Sequence, residues 1–179
     1  MSAHVALLRG INVGGNRKIA MADLRAFMEA IGIADARTLL QTGNVVFHAS
    51  GSTAAIEKRL EREAAARLGL ATDFFVRSAR EWAAVIAANP FPAEAERDPG
   101  HLLIVALKEA VTPARVRALR AAIRGPERVE AEGRHAYIVY PAGIGTSKLT
   151  AAVIGRALET SGTARNWNTA LKLAELLGG

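Results

Sequence analysis

The chain has 179 residues, of which 50% are hydrophobic and 22% are charged, so its composition excludes a disordered segment as the main body of the protein. It contains no cysteine, which excludes disulfide frameworks, thiolate nucleophiles and metal sites built from cysteine. The formal net charge is +6 and arginine outnumbers lysine, a balance that favours anionic partners because the guanidinium group forms paired hydrogen bonds with phosphate or carboxylate.

The first half of the chain has the element order β-α-β-β-α-β. Apolar runs predict the strands, and apolar residues at helical spacing predict the helices. Glycine at 43 permits a tight turn between the second and third strands. The predicted elements are a strand at 5–8, a helix over 21–31, strands at 38–41 and 45–48, a helix capped by Ser52 or Thr53 and closed by Gly69, and a strand at 73–78.

A short helix over 81–89 follows, and the polar, proline-containing residues 90–100 are typical of a connector. The pattern then restarts without an evident last strand, so the second half has the order β-α-β-β-α plus a C-terminal helix. Its predicted elements are a strand at 101–107, a helix capped by Thr112, a hairpin of 128–131 with 135–140, a helix over 147–158 and a helix over 168–177.

These orders predict an α+β fold made of two ferredoxin-like (βαββα) units packed together, with an extra C-terminal helix. Residues 1–89 form the first unit with its helix, 90–100 the connector and 101–179 the second unit, with one compact domain as the alternative. The runs 5–8 and 102–105 are apolar at every position, which predicts that both faces of each sheet are covered. The partner unit, the extra helices or a second subunit could supply that cover.

Five segments in order carry a resemblance to a known family: LLRGINVGGNRKIAMADLR, LLQTGNVVF, NPFP, SKLT and TARNWNTALKL. Together they resemble the bacterial DUF1697 family over nearly the whole chain. Thr42 stands where related sequences often carry serine. The resemblance implies an α+β fold of ferredoxin-like pieces, and it implies no particular biochemical activity.

The segment between the first strand and the first helix is the first candidate site. Its glycines let backbone N–H groups converge near a helix N-terminus, an arrangement that binds anions, and its asparagines and cations add donors. It matches neither the Walker A pattern nor G-x-G-x-x-G. The alternative is a tight connection whose glycines and asparagines serve only positive φ angles. The candidate residues are Arg9, Gly10, Asn12, Gly14, Gly15, Asn16 and Lys18.

The second candidate is Ser147 with Lys148, at the start of the helix predicted over 147–158. Thr146 or Ser147 would cap this helix, leaving the N–H groups of its first turn facing outward. Lysine in a first turn opposes the helix dipole, which hints at another role for Lys148. The alternative is that a capped helix tolerates one surface lysine.

The third candidate is Arg165, Asn166 and Trp167, beside the start of the last helix. The indole could stack on a base or ring while the guanidinium group holds its anionic part. The alternative is structural: Trp167 anchors the last helix, and Asn166 or Asn168 caps it.

A further helix carries Arg117, Arg120 and Arg124 on one side, a row that could follow a phosphate backbone or be a solvated face. The four histidines lack metal-ligand spacing, so no metal site is predicted, and no cofactor is implied. Ser147 and Lys148 are adjacent rather than one helical turn apart, which argues against a Ser–Lys dyad.

No signal peptide or membrane-spanning run is visible, so the sequence predicts a cytoplasmic protein without a membrane partner. The function that these patterns favour is non-catalytic binding of an anionic, phosphate-bearing ligand, either a small molecule or a nucleic-acid backbone, provided that Arg9, Lys18, Lys148 and Arg165 converge in one cleft. The alternatives are an enzyme acting on a phosphorylated or carboxylated small molecule and a homo-oligomeric interaction or assembly protein.

Overall fold

The structure, a computed structural model, describes residues 1–14 and 17–178. They divide into two compact units, the first made of Met1–Ala84 together with residues 173–178 and the second of Val85–Lys172. Each unit contains one four-stranded antiparallel sheet with helices. The predicted α+β class is therefore confirmed.

The first unit has the ferredoxin-like topology. Its strand order is β2-β3-β1-β4, and every neighbouring pair is antiparallel. The helix between β1 and β2 carries the chain over the sheet and leaves the place between these strands for β3. Its elements are β1 (Ser2–Leu8), α1 (Met21–Ala30), β2 (Arg37–Leu39), β3 (Asn44–Ala49), α2 (Thr53–Leu68) and β4 (Phe74–Ser78), followed by α3 (Ala79–Ala87).

Local signals fix the ends of these elements. Ser52 caps α2 by accepting a hydrogen bond from the N–H of Ala55, and Gly69 ends it in the left-handed conformation. The strand β2 is shorter than predicted, because Leu40 takes a φ of 59° and turns the chain before Gln41.

The core of the first unit lies between its sheet and the helices α1 and α2. Leu24 and Phe27 of α1 and Leu60 of α2 pack there against Ala6 and Leu8 of β1. The alternate residues of β1 are buried as well, so this strand is covered on both faces, as its unbroken apolar run predicts.

Two carboxylates of α2 accept hydrogen bonds from backbone N–H groups of the edge strand β4. The Oε1 atom of Glu57 accepts a hydrogen bond from the N–H of Val76 at 2.8 Å, and that of Glu61 accepts one from the N–H of Phe74 at 3.0 Å. Residues four apart on a helix and two apart on a strand both advance by about 6–7 Å, so the two spacings match. The edge therefore carries paired rather than open N–H groups at these positions.

The second unit repeats the topology of the first. Its strand order is β6-β7-β5-β8, so the second, third, first and fourth strands of the unit follow one another across the sheet as they do in the first unit. Every neighbouring pair is again antiparallel. Its elements are α4 (Pro92–Arg97), β5 (Leu102–Leu107), α5 (Pro113–Ala122), β6 (Arg128–Glu132), β7 (His135–Val139), α6 (Ala151–Leu158) and β8 (Gly162–Asn166), followed by α7 (Trp167–Leu176).

The strand β8 corrects the prediction that the second half lacks a last strand. Its inward positions are Thr163 and Arg165, both 8% exposed, so a buried strand carries polar residues where an apolar run was expected. Gly162 has no room for a side chain, since a Cβ there would lie 2.9 Å from atoms of Leu107 and Val105. The order is thus β-α-β-β-α-β in both units.

Two further predictions need correction. The helix α6 begins at Ala151 rather than at 147, and its cap is Thr150, which accepts from the N–H of Val153 at 3.3 Å, not Thr146 or Ser147. The residues 90–100, predicted as a connector, include the helix α4 and a 3₁₀ turn at Pro99–His101. Pro92 can open α4 because proline at a first helical position loses no helical hydrogen bond.

Candidate functional site

The glycine-rich segment of the first unit takes the left-handed backbone conformation at several positions, as its glycines and asparagines permit. Gly10 and Gly14 take φ angles of 62° and 61°, and Asn12 and Arg17 take 55° and 51°. Gly15 and Asn16, two of the candidate residues, lie outside the described residues. Glycine and asparagine adopt this left-handed conformation at low cost, so the segment follows the course that its sequence permits.

The side chain of Asn12 holds this segment together. Its Nδ2 donates to the carbonyl oxygens of Ile19 at 2.9 Å and Gln41 at 2.6 Å, while its Oδ1 accepts from the N–H of Ile19 at 2.9 Å. Both ends of the amide are thus bonded within the protein. The structure thus gives Asn12 the role of joining the loop to the residues just before α1 and to the β2–β3 turn.

Arg9 also bonds within the first unit. Its Nη1 lies 3.2 Å from Oδ2 of Asp73, and its backbone N–H donates to the carbonyl of the same residue. The hydroxyl of Thr72 donates to the carbonyl of Arg9 at 2.5 Å. The guanidinium is half exposed but already has a carboxylate partner.

Lys18 differs from Arg9, because it is exposed and forms no hydrogen bond or ion pair with any described residue. It precedes α1, whose cap position is Ala20 and has no side-chain cap. A cavity of about 550 Å³ opens there between α1 and the end of α2, and we call it the Lys18 groove. Its lining includes Lys18, Ala20, Asp23, Phe27, Arg67 and Leu70.

The Lys18 groove carries two cations and one anion. Arg67 forms an ion pair with Glu63, with 3.0 Å between Nε of the arginine and Oε2 of the glutamate. Hydrogen bonds from Arg67 and Arg62 hold the pKa of the Glu63 carboxyl below its usual value. Asp23 is exposed and has no partner within residues 1–14 and 17–178, so Lys18 and Arg67 leave the lining with a surplus of positive charge.

The second candidate, Ser147 with Lys148, lies in a non-helical segment before α6. Ser147 donates its hydroxyl hydrogen to Oε1 of Glu127 and accepts from the N–H of Leu149 at 3.0 Å. The hydrogen bond from Ser147, together with backbone N–H groups of Glu127 and Gly125, lowers the pKa of the Glu127 carboxyl. Lys148 is exposed and is bonded to no residue in the described part of the chain.

The third candidate is largely buried. Arg165 is 8% exposed, and its Nη1 donates to Oγ1 of Thr163 and to the carbonyl of Ala164, both at 2.8 Å. Burial lowers the pKa of this guanidinium to about 10. Trp167 is 7% exposed, and Asn166 caps α7 by accepting from the N–H of Thr169 at 3.0 Å. The side chains of Arg165 and Trp167 are therefore part of the interior, and Asn166 is a helix cap.

The arginines of α5 are largely paired within the second unit. Arg115 forms an ion pair with Glu159 at 3.0 Å, and Arg120 forms one with Glu130 at 2.5 Å. Arg124 donates to the carbonyl of Ala121 at 2.8 Å. In the row that the sequence suggested for a phosphate backbone, Arg120 and Arg124 thus have partners in their own unit, whereas Arg117 is bonded to no described residue.

Among the described residues, no group of three histidine, aspartate or glutamate side chains is placed to hold a metal ion. Within the same residues, every helix is too short or too polar to cross a bilayer.

The family described as "Protein of unknown function (DUF1697)" matches residues 1–137, more than two thirds of the chain. The chain belongs to the DUF1697 family. A solved structure, that of the conserved bacterial protein SP0830 from Streptococcus pneumoniae, is 23% identical to this DUF1697 chain and covers 98% of both chains with a TM-score of 0.77. At this identity the likeness shows the fold alone. No curated protein matches the chain.

Sequence reasoning on this DUF1697 chain identified Lys18 but missed the other side of its groove. Arg67, Leu68 and Leu70 come from the end of α2, far along the chain from Lys18. No local signal marks this side of the groove, because Leu68 continues the apolar spacing of Leu60 and Ala64 along α2 and Leu70 belongs to the core.

Proposed function

We propose that the protein is a non-catalytic binder of a small anionic ligand and that the Lys18 groove is its site. The observation that carries the proposal is that Lys18, an exposed cation bonded to no described residue, lines a cavity of about 550 Å³. Cavities of roughly 300–1,000 Å³ are the usual size of small-molecule sites.

The surroundings of Lys18 support an anion in this place. The first turn of α1 has backbone N–H groups without a side-chain cap, and such groups carry partial positive charge. Arg67 adds a second cation at the opposite wall. An anion in the groove would therefore meet a surplus of positive charge.

A small ligand fits these observations better than a nucleic-acid backbone. A backbone-binding surface needs a row of cations free to neutralise successive phosphates. Arg115 and Arg120 of α5 are paired with carboxylates, and Arg124, which follows α5, donates to a backbone carbonyl. Arg117 alone of the suggested row has no partner among the described residues. The Lys18 groove instead concentrates its cations around one cavity.

The test is an ¹⁵N–¹H NMR titration of the whole chain with inorganic phosphate and with acetate. We expect saturable shifts in the amides around Lys18 and the first turn of α1. We expect Lys18→Gln to weaken the affinity at least tenfold, because a hydrogen bond to a charged group contributes roughly 1.5–3 kcal/mol.

The matched control is Lys58→Gln, which removes an exposed lysine of α2 that also has no partner among the described residues. It should leave the affinity unchanged. Equal losses for both variants would mean that only the overall charge matters, and the proposal would be wrong.

A further inference from the structure

We infer that the ligand of the Lys18 groove is a monoanion with an apolar body, a carboxylate of medium chain length. This inference rests on the proposed function, because it adds a chemical class to the same site. It follows from the apolar part of the lining, from the arrangement of that part along α1 and from the count of charges.

The apolar part of the groove is larger than a free inorganic anion requires. Ala26, Ala30 and Leu68 supply its exposed apolar surface. Phe27 and Leu70, which belong to the core and are 3% and 8% exposed, lie behind them. Water against such a surface is displaced favourably by hydrocarbon, whereas a bare phosphate would leave it hydrated.

The polar and apolar residues of the lining are separated along α1. Residues 23, 26, 27 and 30 share one face of this helix, with Asp23 in the first turn and Ala30 at its end. That stretch is about 10 Å long at 1.5 Å per residue, a length that an apolar body of roughly eight carbons spans. A head group beside Lys18 would therefore leave its hydrocarbon chain along Ala26 and Ala30.

The charges favour one negative charge on the ligand. The lining contains two cations, Lys18 and Arg67, and one anion, Asp23. Glu63 lies outside the lining and divides its charge between Arg67 and Arg62, so one positive charge remains in surplus. A dianion would place its second charge in the same cavity as the Asp23 carboxylate. A carboxylate head group matches the single surplus charge.

The experiment extends the NMR titration to acetate, butyrate, hexanoate and octanoate, with octanol and octylamine as neutral and cationic probes. We expect the affinity to rise about two- to fourfold for each added methylene, because each one leaves water for an apolar wall. Octanol and octylamine should bind at least tenfold more weakly than octanoate.

Two variants test where the hydrocarbon chain of the ligand lies and how Asp23 affects its charged head group. Leu68→Ser should lower the affinity for octanoate at least fivefold more than that for acetate, while Leu171→Ser, which changes a helical leucine of the same 37% exposure elsewhere, should leave both unchanged. Asp23→Asn should tighten octanoate binding, because it removes a like charge from the groove.

The outcomes separate this inference from the proposed function. If acetate and phosphate bind through Lys18 but affinity does not grow with chain length, the inference is wrong and the proposed function stands. If Asp23→Asn weakens binding, the aspartate holds a cationic group of the ligand, and a simple monoanion is again wrong. If no anion produces shifts that depend on Lys18, both proposals fail.

Discussion

Gly43, in the turn between β2 and β3, has no room for a side chain. Its φ is 83°, and a Cβ at this position would lie 2.5 Å from Cδ1 of Ile11 and 2.9 Å from Cβ of Leu8. Its carbonyl also accepts a hydrogen bond from the N–H of Leu8 at 2.8 Å. The turn and the glycine-rich segment thus pack directly on each other.

We expect Gly43→Ala to lower the free energy of unfolding by about 2–5 kcal/mol. The left-handed conformation costs alanine roughly 1–2 kcal/mol, and overpacking against buried neighbours adds typically 1–3 kcal/mol. Urea unfolding measures the loss. Gly32→Ala is the control, because Gly32 has a φ of 87° and open space around its Cβ position, so only the conformational cost applies. Equal losses in the two variants would refute the packing argument.

The hydrogen bond from Ser147 stabilises the ionised form of the Glu127 carboxyl. A carboxyl whose pKa is lowered by folding stabilises the protein above its unfolded pKa and loses that contribution as pH falls through the folded value. We therefore expect Ser147→Ala to cost about 1.5–3 kcal/mol at pH 7, the worth of a hydrogen bond to a charged group, and markedly less at pH 3.

The control for this pH dependence is Thr150→Ala, which removes the uncharged cap of α6 at a cost of about 1 kcal/mol. Urea unfolding of both variants at the two pH values distinguishes them. A Ser147→Ala cost that is the same at pH 7 and pH 3 would show that the hydroxyl does not act through the carboxylate.

At the scale of elements, the edge of the first sheet depends on helix α2. Glu57 is buried with Arg77, whose Nη1 lies 3.4 Å from its Oε1, and the same oxygen binds the N–H of Val76. Glu61 makes the corresponding contact with Phe74 nearer to the surface. The helix thus positions the strand through carboxylates as well as through its apolar face.

We expect Glu57→Ala to cost about 3–5 kcal/mol, because it breaks a buried ion pair, and Glu61→Ala to cost about 1–2 kcal/mol. Glu29→Ala, at an exposed position of α1, should fall within about 0.5 kcal/mol of the parent protein. Hydrogen exchange of the amides of Phe74 and Val76 checks the mechanism. If these amides keep their protection in the two variants, the carboxylates do not hold the edge.

Most elements could be predicted from the sequence because their signals are local. Ser52, Gly69 and Thr112 mark helix ends by their own backbone and side-chain chemistry. The strand β8 could not be predicted, because its inward residues Thr163 and Arg165 satisfy their polar groups inside the fold. A pattern of apolar residues cannot reveal such a strand.

The candidate site was predictable only in part, for a related reason. Lys18 stands in a glycine-rich segment, a composition that points to an anion site. Arg67 lies at a helix end with no such signal, and it lines the groove only because α1 and α2 cover the same face of the sheet. For Arg165 the reverse holds, because its charge suggested a surface position whereas its place on β8 buries it.

At the scale of the whole molecule, the two units repeat one design down to single side chains. Arg77 on the fourth strand of the first unit donates from Nη1 to the carbonyl of the preceding Val76 at 2.8 Å. Arg165 on the fourth strand of the second unit does the same to Ala164 at 2.8 Å. Each arginine stands just before the residue that leads into the next helix. The repetition therefore includes a buried arginine as well as the order of strands.

The first unit is completed by residues 173–178, which follow the second unit along the chain. A ribosome makes residues 1–84 early and then the whole of Val85–Lys172 before it reaches this segment, which contains the fully buried Leu173. Domains usually fold in the order in which they are translated. In this protein the part of the nascent chain that emerges first is the last to be finished, and it must wait in an incomplete form while the rest is synthesised.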